Sequence, residues 1–95
     1  MLTVARAAVD PVAEQEYLEA VSELARLAEG RGRRLWLFRA RGRPGRFLEC
    51  SESRSPDEHR VTAQLDPDEA RLEHRIRELA TYEDGAMELW EEVRF

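Results

Sequence analysis

The sequence predicts an α+β fold in which strands and helices follow in the order β-α-β-β-α-β. Three observations lead to this order: a long apolar stripe at helical spacing, a pair of strands joined by a glycine-rich turn, and two proline-led helix starts in the second half. All 95 residues, 1–95, are expected to form one domain. A chain of this size is near the lower limit for an independent core, so a second copy would help to stabilise it.

The first strand and the first helix are marked by residues 2–30. Apolar residues on both faces of 2–9 predict a strand, whose small side chains suit a central position in a sheet. Asp10 and Pro11 predict a helix start, because aspartate caps free N–H groups and proline at the first helical position loses no hydrogen bond. The buried face of this helix is a single stripe of Tyr17, Ala20, Val21, Leu24, Leu27 and Ala28. Gly30 predicts its end.

The segment 34–40 is predicted to be a strand that is apolar on both faces. Leu35 and Leu37 point to one side, and Trp36 and Phe38 point to the other. A protein this small cannot cover both faces of a sheet with its own helices. We therefore expect a homodimer in which the sheets of two copies pack together.

The second half of the chain supplies the remaining elements. A turn at 42–45 and a returning strand at 46–53 complete an antiparallel hairpin. Ser55 and Asp66 each begin a helix-start pattern of capping side chain, proline and acid. The first of these helices is expected to be short. The second has a buried stripe of Leu72, Ile76, Leu79 and Ala80. Residues 86–95 are predicted to form the last strand.

These elements predict a ferredoxin-like fold, a four-stranded antiparallel sheet with its helices on one face. The chain resembles the antibiotic-biosynthesis-monooxygenase-like domains of the dimeric α/β-barrel superfamily over essentially its whole length. The resemblance rests on the element order, on the strand 47–52 followed by Ser55 and a helix bearing His59, and on a late strand containing Trp90. It implies a ligand cavity, between helices and sheet or inside the barrel. It also implies, in many members, oxygenation of aromatic or quinol-like substrates without a cofactor.

Other proteins with this topology fit less well. An RNA-recognition motif needs aromatic residues on both central strands, whereas the first strand has none and the third has only Phe47. Haem-degrading members use an Asn beside a Trp and a His, and this sequence contains no Asn. Two hypotheses stay open. One is a homodimeric small-molecule monooxygenase, and the other is a non-catalytic ligand-sensing or accessory dimerisation domain.

Charge and composition exclude some partners. The net charge of −5 argues against general nucleic-acid binding. No apolar run reaches the ~18 residues that a membrane helix requires, and the lone Cys50 cannot form a disulfide within the chain, so a cytoplasmic location is expected. Residues 30–48 carry seven Arg and no acid. This basic stretch suits phosphate, an anionic ligand or a partner's acidic helices, or else it only keeps the strand rim solvated.

The candidate site residues come from the elements expected around the cavity. His59 is the catalytic candidate, as a proton carrier or hydrogen-bond donor. Trp90 is expected to stack on a planar ring and Arg39 to hold an anionic substituent. Trp36 and Tyr82 complete the predicted substrate-binding set, although Trp36 also suits packing at the dimer face.

No metal site is expected. The only two imidazoles, His59 and His74, lie on different predicted helices, and a metal would need at least a third ligand.

Tyr17 is a second candidate phenol donor, but its place in the apolar stripe assigns it to the core.

Overall fold

A computed structural model describes residues 1–52 and 66–95, with side chains 84–86 left out. Its elements are β1 (Leu2–Val9), α1 (Glu14–Gly30), β2 (Leu35–Arg39), β3 (Arg46–Glu52), α2 (Pro67–Leu79) and β4 (Ala80–Trp90). The predicted α+β order is confirmed for these elements. The short helix predicted to begin at Ser55, with His59 on it, lies outside the described residues.

The four strands form one antiparallel sheet in the order β2-β3-β1-β4. The central strand β1 pairs with β3 on one side and β4 on the other, so that Val4 lies opposite both Cys50 and Glu88. Both α1 and α2 contribute to the core on one face of this sheet. This is the ferredoxin-like arrangement that the sequence predicted.

The core lies between the helices and the face of the sheet that we call the helix face. It consists of Ala7, Val9, Tyr17, Ala20, Leu24, Phe47, Leu72, Ile76 and Ala80. The stripe predicted for α1 is confirmed, because its buried residues are Tyr17, Ala20, Leu24 and Ala28. The ring centroids of Tyr17 and Phe47 lie 5.1 Å apart, which ties α1 to β3.

The opposite side, which we call the open face, has no helix over it among the described elements. Leu35 and Leu37 pack against the core, so the alternation of β2 directs Trp36 and Phe38 to the open face. Phe38 is 53% exposed, and so is Trp90 at the end of β4. The prediction that this strand is apolar on both sides is therefore confirmed.

The two helix starts differ from each other. Asp66 caps α2 as predicted, since its side chain accepts hydrogen bonds from the backbone N–H groups of Asp68 and Glu69 at 2.9 and 3.4 Å. The prediction for Asp10 was wrong, because the N-cap of α1 is Ala13, without a side-chain bond. Asp10 instead accepts from the N–H of Val12 at 2.9 Å and forms a separate turn before the helix.

The prediction for the last strand was also wrong at both ends. β4 starts at Ala80 directly after α2 and ends at Trp90, and residues 91–95 are exposed and outside it. Gly85, which was expected to separate helix and strand, lies within β4. Between Ala5 and Ala7 the β1–β4 register shifts, so the strand absorbs extra residues as an irregularity and continues.

Candidate ligand cavity

A cavity of about 190 Å³ lies between the helix face and the two helices. Every strand and both helices contribute to its lining. Its apolar wall contains Ala5, Val21, Leu24, Leu35, Ile76 and Met87. The polar side chains on it are few and come mainly from β3, α2 and β4. A mostly apolar space with a few polar groups is typical of small-molecule sites.

The polar centre of the cavity is the carboxylate of Glu49. Its Oε2 accepts a hydrogen bond from the hydroxyl of Tyr17 at 2.6 Å and another from the hydroxyl of Tyr82 at 2.7 Å. Glu49 reaches this position because every second residue of a strand points to the same side, so Glu49 shares the helix face of β3 with Phe47 and Ser51. Two O–H donors on one oxygen fix the orientation of the carboxyl group.

Both tyrosines keep their protons over the whole physiological range. Burial is the largest cause that raises the pKa of Tyr17, and the hydrogen bond to Glu49 raises it further. The same two causes, in the same order, raise the pKa of Tyr82. The phenols therefore donate hydrogen bonds to the carboxylate, and Glu49 is the hydrogen-bond acceptor among the three side chains.

The second oxygen of Glu49 has a different environment. Both phenols bind Oε2, and Oε1 receives no hydrogen bond from residues 1–52 or 66–95. Since Glu49 lines the cavity, Oε1 is the acceptor that a ligand hydroxyl can use.

Two further charged side chains of the cavity come from α2. Glu73 is half-buried and Arg77 is exposed, and both line the space. Burial is the main cause that raises the pKa of Glu73; the positive charge of Arg77 acts in the opposite direction. The cavity therefore holds two carboxyl groups on opposite walls, one from β3 and one from α2.

The predicted site residues are divided between several places. Tyr82 and Trp36 are both among the lining residues of the cavity, although the alternation of β2 directs the Trp36 side chain to the open face. Arg39 does not, because it lies 3.5 Å from a carboxylate oxygen of Glu14 and its guanidinium stands 5.5 Å from the Phe47 ring centroid. Trp90 lies at the far end of the sheet, paired with Leu2, and does not line the cavity. His59 is outside the described residues.

A second recess, of about 640 Å³, contains much of the basic hairpin. Its lining includes Arg6, Arg39, Arg43 and Arg46. Three of them have acidic partners, since Arg6 lies 3.1 Å from Glu88, Arg39 lies 3.5 Å from Glu14 and Arg46 lies 3.8 Å from Glu83. The recess is charged where the cavity is mostly apolar, so the two spaces suit different ligands.

Sequence reasoning missed Glu49 and the hydroxyl of Tyr17. Tyr17 is fully buried, as its stripe position predicted, but its hydroxyl is directed at a residue 32 positions away. The available signal was Glu49 itself, a carboxylate on the inward side of a buried strand. Such a group needs hydrogen-bond donors, and a tyrosine in the facing helix is a source of one.

Metal-ligating side chains do not cluster in the described part of the chain. Among residues outside the gap at 53–65, no group of three or more His, Cys, Asp or Glu side chains is placed to hold a metal ion. Neither described helix is long and apolar enough to cross a membrane.

Three solved structures share this architecture. A Bacteroides thetaiotaomicron protein of unknown function, described as a possible oxidoreductase, has a TM-score of 0.76 at 18% identity, with 92% of this chain and 90% of that chain covered. A variant of SnoaB, a cofactor-independent oxygenase from Streptomyces nogalater, has a TM-score of 0.78 at 20% identity, covering 99% and 93%. An antibiotic biosynthesis monooxygenase has a TM-score of 0.75 at 21% identity, covering 99% and 100%.

The chain has the fold of the antibiotic biosynthesis monooxygenases. The resemblance predicted from the sequence is thus confirmed at the level of the fold. No family model matches the sequence, and a comparison with curated proteins gives no match. At identities of 18 to 21% the likeness concerns architecture, and the chemistry has to be argued from the cavity itself.

Proposed function

We propose that the protein is a homodimeric, cytoplasmic oxygenase that binds a small phenol or quinol in the cavity and oxidises it with molecular oxygen, without a cofactor. The observation that carries this proposal is the Glu49 carboxylate, held by two phenols at the polar centre of a mostly apolar space. A mostly apolar cavity with a base fixed in this way suits a planar substrate with an ionisable hydroxyl.

The size of the cavity narrows the substrate class. An apolar protein cavity of about 150 Å³ is large enough for benzene. A space of about 190 Å³ therefore favours molecules of one or two rings, such as hydroquinones and naphthols.

The first chemical step assigned to the site is a proton transfer. Oε1 of Glu49 takes the proton of the substrate hydroxyl, and Tyr17 and Tyr82 hold the carboxylate in place through Oε2. The resulting phenolate is electron-rich enough to react with oxygen. For a phenol with a hydrogen at the para carbon, the products are a quinone and water, each of which receives one oxygen atom. A hydroquinone has no such hydrogen, and it gives up two electrons and two protons to oxygen to form a quinone and hydrogen peroxide.

The open face supports the homodimer in this proposal. Phe38 and Trp90 are each 53% exposed on it, and large exposed apolar side chains on one face are typical of an interface. SnoaB, a cofactor-independent oxygenase with the same architecture, supports the chemistry by analogy of fold. The roles predicted from the sequence remain proposals: His59 as a proton carrier, Trp90 as a stacking partner for a planar ring, and Arg39 as the group that holds an anionic substituent.

Oxygen uptake with a panel of hydroquinones and naphthols tests the function. Wild-type protein should consume oxygen, and Glu49→Gln should lower kcat/KM by about 100-fold or more, the range for loss of a general base. Glu52→Gln is the matched control, because Glu52 is an exposed residue of the same strand. His59→Ala in the same assay tests the suggested proton carrier.

Two results would contradict the proposal. Equal uptake by the wild type and by Glu49→Gln would remove the base from the mechanism. A panel that raises the melting temperature of the wild type while no oxygen is consumed would favour the alternative, a non-catalytic ligand-sensing domain.

A further inference from the structure

The positive charge of the cavity lies at its opening. Arg77, in the last turn of α2, is exposed and at the same time lines the cavity. It is the one positively charged side chain among the described residues that line this space. The residue before it, Ile76, is buried in the core and lines the same space. Arg77 therefore lies where the apolar interior of the cavity meets solvent.

Arg77 differs from the neighbouring arginine of α2 in its contacts. Arg75 is not part of the lining and forms ion pairs with Glu16 and Glu78. Arg77 forms no hydrogen bond or ion pair with residues 1–52 or 66–95. A guanidinium group has five N–H donors in a planar fork that fits a carboxylate. Within the described part of the chain, this cation therefore has its donors available for a ligand.

Arg77 is also near the polar centre of the cavity. Tyr82, whose hydroxyl donates to Glu49 at 2.7 Å, belongs to the same lining. Burial is the largest influence on the pKa of Tyr82 and raises it, whereas the positive charge of Arg77 acts in the opposite direction. A flat molecule whose hydroxyl group reaches Glu49 can therefore direct its other end toward Arg77.

We propose that Arg77 binds a carboxylate of the substrate, so that the substrate class narrows to phenols or naphthols with a carboxylate away from the reacting hydroxyl group. This inference rests on the proposed function, since it names the substrate class of the same cavity. Oε1 of Glu49 accepts from the hydroxyl end, Arg77 donates to the carboxylate end, and the apolar wall surrounds the rings. Arg39, the other arginine suggested for an anionic substituent, does not line the cavity.

The expected gain in affinity is moderate. Arg77 is exposed, so water and salt weaken the interaction of its charge with a ligand. Glu73, one turn earlier on α2, lines the same space and competes with a ligand carboxylate for this charge. We therefore expect the carboxylate to raise affinity by about five-fold at low salt.

Three two-ring probes test the proposal. The acid 5-hydroxy-1-naphthoate carries its carboxylate on the ring without the hydroxyl group, the corresponding amide has nearly the same shape without the charge, and 1-naphthol lacks the substituent. Backbone-amide NMR titrations give the dissociation constants. The wild type should bind the naphthoate about five-fold more tightly than the amide at low salt, and this preference should shrink as salt is added.

The decisive variant is Arg77→Gln, which should bind the naphthoate and the amide equally and should bind 1-naphthol as the wild type does. Arg77→Lys should keep part of the preference, because an ammonium group retains the charge without the planar fork. Arg71→Gln is the matched control, since Arg71 is an exposed arginine of the same helix that does not line the cavity. Both Arg71→Gln and Arg39→Gln should keep the full preference.

A merely structural role of Arg77 would give a different pattern. A cation in the last turn of a helix stabilises the end of that helix. Loss of this effect alone would change the binding of all three probes alike. The ratio of naphthoate affinity to amide affinity, measured in each protein, therefore separates the two roles.

The outcomes distinguish the two proposals. Equal affinity of the wild type for naphthoate and amide would overturn this inference, as would a preference that survives in Arg77→Gln or is lost in Arg39→Gln. If Arg77→Gln does not fold, the salt series on the wild type decides, and a preference that is insensitive to salt overturns the inference.

The proposed function stands or fails on a separate measurement. If 1-naphthol is oxidised by the wild type and not by Glu49→Gln while the charge preference is absent, the role of Arg77 is wrong and the proposed function stands. A clear preference for the naphthoate without any oxygen uptake would contradict the proposed function and support Arg77 as the carboxylate-binding residue of a ligand-sensing domain.

Discussion

The two faces of the sheet differ in how far their side chains are buried, and in which partners their polar groups have, within one chain. On the helix face most of the core lies buried under the two helices and Glu49 is held by two phenols, while Met87 and Leu89 of β4 are exposed. On the open face Phe38 and Trp90 are half exposed, and the charged groups near them form surface pairs such as Arg6 with Glu88. The described residues of one chain therefore line the cavity by themselves, whereas the second copy that we propose would bury the apolar side chains of the open face.

This difference separates folding and chemistry from assembly. Substitutions under the helices should alter stability or the cavity, because the contacts they remove lie within one chain. Substitutions on the open face should alter association and leave the fold of each copy intact. Two predictions test this separation.

The largest effect is expected for Glu69→Ala, beneath the start of α2. Glu69 is fully buried, and its Oε2 lies 3.0 Å from Nη2 of Arg33, while its Oε1 lies 3.8 Å from Nε of Arg31. Removing this carboxylate should lower the free energy of unfolding by about 3 kcal/mol, since one partner of a buried ion pair is lost. Urea unfolding measures it.

Glu78→Ala is the control for this prediction, because Glu78 is a half-exposed residue of the same helix. It should change the free energy of unfolding by less than about 0.5 kcal/mol. Equal stability of Glu69→Ala and Glu78→Ala would mean that the buried cluster does not stabilise the junction of α1 and α2.

A smaller effect, on assembly, is expected for Trp36→Glu on the open face. Trp36 lies opposite Cys50 in the β2–β3 register, on the edge strand of the sheet. A charge there should weaken the proposed dimer by about 2 kcal/mol, or roughly 30-fold, as for an aromatic residue that anchors an interface. Sedimentation velocity over a concentration series measures it. Val12→Glu is the control, because Val12 is 95% exposed and lies outside the sheet.

A wild type that sediments as a monomer at micromolar concentration would contradict the assembly proposed for this face. A dimer of Trp36→Glu as stable as that of the wild type would show that the interface lies elsewhere.

The fold was largely predictable from the sequence because its main signals are local. The stripe of α1 depends on spacing along one helix, and the cap of α2 depends on Asp66 and the two residues after its proline. The errors arose where two local patterns competed. Asp10 fits the sequence pattern of a helix cap and also that of a turn. Gly85 fits both a boundary between helix and strand and an irregularity within a strand.

The site was less predictable because it depends on long-range contacts. Tyr17 and Tyr82 are 32 and 33 positions from Glu49, and neither distance follows from periodicity. The sequence identified Tyr82 as a candidate and placed Tyr17 in the core, but it gave no reason to join them through one carboxylate. The prediction for His59 lies outside the described residues and stays a prediction.

The central claim is that the cavity under the helices, with Glu49 at its polar centre, is the ligand site. A backbone-amide NMR titration with hydroquinone and 1-naphthol tests it most directly. We predict shift changes at cavity residues such as Glu49, Ile76 and Tyr82, and binding at least about ten-fold weaker in Glu49→Gln, which corresponds to about 1.4 kcal/mol. Shift changes confined to the arginine-rich recess around Phe38 and Arg46, with the same affinity in Glu49→Gln, would contradict the claim.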